Sequence, residues 1–96
     1  MALSEPLATL AYVLSHPTRQ AIVRALKEAG DCLTIPEVAT KVGMPEEIIG
    51  FHMLALKQHG LVTDHIHHDQ SADKVVTKFT ASEKVTEAAQ ALNALA

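Results

Sequence analysis

The stretch from Thr34 to Leu61, TIPEVATKVGMPEEIIGFHMLALKQHGL, limits what this chain can fold into more than any other. Thr34 and Glu37 have the S/T-x-x-E spacing of a capping box, in which each side chain satisfies a free backbone N–H at a helix start. Val38, Ala39 and Val42 give the helix that follows an apolar stripe, and Gly43 falls where a left-handed C-cap is needed. Pro45 suits the first turn of a second helix, because its missing N–H would be unpaired there anyway. Ile49, Met53 and Leu56 then recur at i, i+4, i+7, which is one buried helical face. Gly60 stops this helix, and Leu61-Val62 begins an extended segment. Two short helices about a glycine-containing turn make a helix-turn-helix, here spanning 34–60, whose second helix can enter a DNA major groove.

Upstream, residues 3–15 form an amphipathic helix with Ser4 as N-cap and Glu5 and Pro6 in its first turn. Leu3, Leu7, Leu10, Ala11 and Leu14 give it an apolar face that is wide for so short a helix. Ser15-His16-Pro17 breaks it, since the residue before proline is pushed out of the α region. A second helix runs from Pro17 to Ala29 with Ala21, Ile22, Ala25, Leu26 and Ala29 at helical spacing, and Gly30 is its C-cap. Asp31-Cys32-Leu33 connects it to the capping box, with Cys32 packing as a small apolar residue.

After Gly60 the period changes from helical to alternating. Leu61 to His68 and Lys74 to Phe79 are two strands with Asp69 to Asp73 as their turn, a β-hairpin within 61–80. Val62 and Ile66 alternate with polar residues, and Val75, Thr77 and Phe79 line one face. The closing helix, 82–96, opens with Ser82 as N-cap. Val85, Ala88, Ala89, Leu92 and Leu95 follow a heptad-like spacing that must fold back or be buried on another chain. The expected fold is a single domain over residues 1–96, mainly α with about five helices and a small hairpin wing.

LSHPTRQAIVRAL, followed by LTIPEVATKVGMPEEIIGFHMLALKQHGLV, resembles the winged-helix repressors of the ArsR/SmtB type. The resemblance runs from about Leu10 to Phe79 and rests on the Pro-Thr-Arg helix start, the capped third helix and the Leu-x-x-x-Gly-Leu-Val exit. It implies a homodimer whose fourth helix reads the major groove beside the wing, and proteins of this type commonly respond to a metal or a thiol-reactive signal; a reduced, cytoplasmic protein is expected separately, from the lone cysteine. Pairing of the first and last helices about a twofold axis fits that pattern. Leu3, Leu7, Leu10, Val85, Ala89, Leu92 and Leu95 are then the expected dimer contacts.

The groove-facing residues depart from the family. At 100° per residue, the face opposite Ile49, Met53 and Leu56 carries Glu47, Gly50, Phe51, Leu54 and Gln58, none of them basic. Glu46 and Glu47 suit a helix N-terminus, where the macrodipole favours anions, but there they would repel phosphates. Phe51 and Leu54 can touch thymine methyl groups or form a small patch for a protein partner. His52 falls beside the buried stripe, as a hydrogen-bonded core histidine. The net charge is −3 with histidines neutral, where a nucleic-acid binder usually has a basic footprint; protonating all six histidines would bring it to +3. The expected DNA contacts are Lys41, Glu47, Gly50, Phe51, Leu54, Lys57, His67, His68 and Lys74, with Arg19 and Lys78 as further cations for phosphate.

His65 and His67 share a strand face, and with His68 nearby they are candidate metal ligands. No second cluster completes the set: the third helix lacks a cysteine pair and the last helix lacks a histidine. No cofactor is implied. Clustered imidazoles on the wing would also gain charge near pH 6.5 and favour phosphate contact.

Other classes find little support. One cysteine rules out an internal disulfide framework. The N-terminus lacks a signal-peptide pattern, and no apolar run is long enough to span a membrane. There is no Gly-rich phosphate loop, no nucleophile with an arranged base and no His-Glu hydrolase pattern, so an enzyme is not expected. Two readings remain. One is a homodimeric regulator of transcription bound to double-stranded DNA. The alternative is a winged-helix module that binds another protein and has weak or no DNA affinity.

Overall fold

In the computed structural model the capping box closes in both directions. Thr34 Oγ1 accepts from the Glu37 N–H at 3.3 Å, and Glu37 Oε1 accepts from the Thr34 N–H at 3.0 Å. The structure describes residues 5–95, the last two by backbone alone. The helices are α1 (Glu5–Leu14), α2 (Pro17–Ala29), α3 (Ile35–Val42), α4 (Glu46–Gln58) and α5 (Lys84–Leu95). Between α4 and α5 lie strands β1 (Val62–Asp69) and β2 (Lys74–Ala81). The expected winged helix-turn-helix with five helices and a hairpin is therefore the observed one. Ser4 and Leu3 lie outside the described residues, as does the side chain of Leu95.

Each helix ends where its residues dictate. Gly30 and Gly43 adopt φ of +65° and +78°, the left-handed C-cap that lets a chain leave a helix sharply. Pro45 stands at the N-cap of α4 rather than inside its first turn, and no side chain caps that end. Ser82 Oγ accepts from the Lys84 N–H at 3.2 Å, so the serine expected as N-cap does bind the start of α5, but from two residues ahead of it.

Ile22, Val38, Ile49, Met53, Leu56, Leu61 and Val62 are fully buried, one core shared by α2, α3, α4 and the base of the hairpin. Ile49, Met53 and Leu56 occupy it as their spacing predicts, which fixes the opposite face of α4 outward. The connection before α3 does more than link: Leu33 and Phe79 exchange backbone hydrogen bonds of 3.0 and 2.7 Å, adding a short third rung to the edge of β2.

The hairpin pairs Val62 with Ala81 at its base and Asp69 with Lys74 at its tip. Ile66 lies opposite Thr77 and His68 opposite Val75, so the alternating apolar residues do share a face. Only its base is covered. Val62 and Phe79 are buried, whereas Ile66 is 74% and Val75 63% exposed, because no described residue outside the hairpin covers their face on the outer half of the wing. The radius of gyration, 14.1 Å, exceeds the roughly 12.5 Å of a compact chain of this length, consistent with a projecting wing.

Helix α5 folds back on α1 and places Val85, Ala88 and Ala91 in the core. This corrects one expected dimer contact: Val85 is 3% exposed and packs within its own domain, since the turn after β2 directs the start of α5 inward. Leu7, Leu10, Ala89 and Leu92 remain half-buried along the α1–α5 pair.

Candidate nucleic-acid interface

The residues singled out on α4 do present one surface. Glu47, Phe51, Leu54 and Gln58 are exposed, Phe51 by 68% and Leu54 by 54%, and Gly50 is half-buried between them and α3. A Cβ added at Gly50 would meet only the Ile35 Cδ1 at 3.8 Å, ordinary contact distance, so packing does not demand glycine there. Glu46 and Glu47 occupy the first turn, exposed beside N–H groups that no side chain caps.

Beside this face, α4 and the wing enclose a groove of about 750 Å³. Ile35, Met53, Leu54, Val76 and Phe79 form its apolar wall, with Lys57, Asp64 and Lys74 at its margin. Lys57 Nζ lies 2.9 Å from Asp64 Oδ2, tying the last turn of α4 to β1. The Lys57 ammonium and its hydrogen bond hold the Asp64 carboxyl below its ordinary value. Lys57 is thus a partly neutralised cation. Lys41 and Lys74 are exposed and Lys78 half-exposed.

Arg19 does not reach outward with these lysines. Its Nε donates to His52 Nδ1 at 3.1 Å and its Nη1 to the Val13 carbonyl at 3.3 Å. The cause is local: Val13 is in the last turn of α1, where carbonyls lack helical partners and a cation is favourable. His52 is the hydrogen-bonded core histidine expected, only 8% exposed. Its pKa is lowered first by burial, then by His16 and Arg19. The sequence reading missed His16, whose Nδ1 accepts from the Thr18 N–H at 3.2 Å as the N-cap of α2. Its position directly before a helix-opening proline was the available signal.

The three wing histidines do not converge. His65 Nε2 is 3.0 Å from Thr80 Oγ1, His67 Nε2 is 3.6 Å from Cys32 Sγ, and His68 Nε2 is 3.6 Å from Asp73 Oδ1. His65 and His67 share a face and His68 takes the other, as strand alternation requires. Among the described residues, no group of three or more His, Cys, Asp or Glu side chains is placed to hold a metal ion. Cys32 is half-buried, with Asp31 Oδ1 3.5 Å from its Sγ, and it meets the wing through His67 Nε2 rather than packing as an apolar side chain alone. At the wing tip, the Asp69 carboxylate accepts from the Ser71 hydroxyl and from the Ser71 and Ala72 N–H groups, which lowers its pKa and fixes the turn.

No described helix is long and apolar enough to cross a membrane.

Residues 14–65 match a family model described as a helix-turn-helix domain. No curated protein matches the chain. Among solved structures, diamide-treated YodB from B. subtilis is similar with a TM-score of 0.79 at 14% identity, covering 99% of this chain and 90% of that one. The transcriptional repressor BigR from Xylella fastidiosa gives 0.67 at 25% identity, over 92% of this chain and 77% of its own. NolR from Sinorhizobium fredii gives 0.67 at 19% identity, over 99% and 95%.

Proposed function

The chain belongs to the helix-turn-helix domain family, and from that premise we propose that it is a DNA-binding transcriptional regulator of the ArsR/SmtB type, acting as a homodimer. The observation that carries this reading is the two-faced α4. One face is locked in the core by Ile49, Met53 and Leu56, and the other stands free beside a projecting wing, the arrangement in which a recognition helix enters a major groove. The likeness to a transcriptional repressor over most of both chains supports the same reading.

In this reading Lys41, Lys57, Lys74 and Lys78 hold phosphates, joined by His67 and His68 when protonated. Phe51 and Leu54 touch thymine methyl groups, and Glu47 accepts from a cytosine amino group or repels the backbone. The half-buried Leu7, Leu10, Ala89 and Leu92 would be covered by the same residues of a second copy, with each cation then used twice. Four lysines in each of two copies neutralise at most about eight phosphates, and since each contributes about −0.9 to the slope of log affinity against log salt, that slope is no steeper than about −7.

Fluorescence anisotropy of the protein with genomic and random duplexes, titrated with salt, tests the proposal. Saturable binding with a slope no steeper than about −7 is expected. Absence of binding to any duplex at low salt would defeat it. A second reading, a module that binds another protein, draws on the exposed Phe51 and Leu54 beside the apolar groove, and would take its place.

A further inference from the structure

Behind the exposed face of α4, two imidazoles and a guanidinium meet at the corner between α1 and α2. The His16 and His52 ring centroids are 4.4 Å apart with planes inclined at 49°, and the Phe51 ring meets His52 edge-on at 5.3 Å. Each imidazole spends its Nδ1 as an acceptor: His16 from the Thr18 N–H, His52 from Arg19 Nε. An arginine Nε–H can only donate, and so can a backbone N–H. The buried His52 ring is therefore neutral, with its single proton on Nε2.

We propose that His16, His52 and Arg19 form a proton-sensitive latch that pins the start of α2 and the end of α1 to the back of the recognition helix, closed when the His52 imidazole is neutral and opened by a proton at its Nδ1. An imidazolium has no acceptor. Protonating His52 breaks its bond from Arg19 and sets two cations against each other where the bond had been. His16, the N-cap of α2, holds the corner in place by packing its ring against His52. Arg19 also carries the Val13 carbonyl, so its release frees the last turn of α1 from α4.

Among the described residues, the charged or titratable groups that bear on His52 are Arg19 from α2 and His16 from the corner before it; α1 contributes the Val13 carbonyl through Arg19, and α4 itself the Phe51 ring. No carboxylate is among them to stabilise an imidazolium. The lowered pKa of His52, set first by its burial, agrees with this geometry. Its sign follows from linkage: the unfolded chain takes up a proton near the ordinary 6.5, the folded chain only below that. Stability from the latch is complete above 6.5 and is lost as pH falls through the lowered folded value. The latch needs no DNA to be detected, so its failure and the failure of the regulator reading are separable.

The experiment compares wild type with the double variant His16→Asn, His52→Asn on the full chain. An Asn Oδ1 stands near the Nδ1 position and accepts without titrating, and Asn is a favoured N-cap. Exchange protection of the Arg19 Nε–H is measured by NMR between about pH 7.5 and about pH 5, together with thermal melting over the same range. The wild type is expected to lose about tenfold or more of that protection, the scale of a charge-assisted bond, after correction for the intrinsic pH dependence of exchange. The double variant should keep it, with a flatter melting profile. If the double variant does not fold, His52→Asn alone carries the comparison, because it keeps the Arg19 bond without its titration. Equal pH dependence in wild type and variant, or protection of Arg19 unchanged to pH 5 in wild type, overturns the latch.

Discussion

Glu47→Gln tests the proposed interface at its least favourable residue. The side chain is exposed in the first turn of α4, and the amide keeps its shape while removing its charge. With a phosphate about 7 Å away, the repulsion in water is about 0.6 kcal/mol. Physiological salt, with a Debye length near 8 Å, reduces it to about 0.25 kcal/mol. Two phosphates in each of two half-sites then sum to about 1 kcal/mol, or about fivefold in affinity. At about 0.01 M salt the Debye length is about 30 Å, and the same pairs give about 2 kcal/mol, roughly 25-fold. Nonspecific affinity on a random duplex, read by anisotropy at both salts, should therefore rise in the variant, and rise more at low salt. The widening with dilution is the diagnostic part, because a change in fold or in a base contact would not follow the Debye length. An unchanged or weakened affinity at low salt would refute the placement of Glu47 near phosphate.

Three further outcomes are expected. Thr34→Ala removes the hydroxyl of the capping box and should destabilise the protein by about 1 kcal/mol in urea melts. The Glu37 carboxyl, held below its ordinary 4.5 first by the Thr34 N–H, contributes stability above that value that is lost as pH falls through the lowered one, so the melts belong well above it. Leu92→Glu should shift sedimentation toward the monomer at micromolar protein, because the charge would be buried without a partner at the α1–α5 seam; a wild type that is already monomeric would remove the homodimer from the proposal. Zinc calorimetry should show weak binding or none, equal in wild type and His67→Ala, because the wing histidines take separate partners; submicromolar stoichiometric binding lost in the variant would contradict this.

The helices and their ends were legible in the sequence because the deciding interactions are local. The capping box at Thr34 and Glu37, the left-handed glycines at 30 and 43, and the i, i+4, i+7 burial of Ile49, Met53 and Leu56 each need only a few neighbouring residues. The outward face of α4 followed, since fixing one side of a helix fixes the other. What escaped was set by contacts distant in sequence. Nothing near Arg19 announces that it turns inward to His52, thirty-three positions on, and nothing near Leu33 announces its pairing with Phe79. Val85 shows the same limit: its apolar spacing is equally right for a core or a subunit seam, and only the path of the turn after β2 decides.

The same two carboxylates link the stability of α4 to what it can touch. A helix N-terminus with free N–H groups is ordinarily a ready phosphate site. On α4 the N-cap is Pro45, which offers no side-chain acceptor, and the first turn supplies Glu46 and Glu47 instead. Carboxylates there complement the macrodipole by about 0.3–1 kcal/mol each at an exposed end. The helix thus has its own anions where a DNA backbone would otherwise place its phosphates. Removing one should weaken the helix slightly while strengthening nonspecific DNA binding, so stability and affinity move in opposite directions. In the proposed DNA complex a low nonspecific affinity has a consequence for selectivity: contacts at Phe51, Leu54 and the wing would decide binding against the many random sites that a more basic helix would also occupy. On this argument the acidic helix start is compatible with a regulator whose discrimination comes from its apolar base contacts, and its weak grip on random duplexes is part of that discrimination.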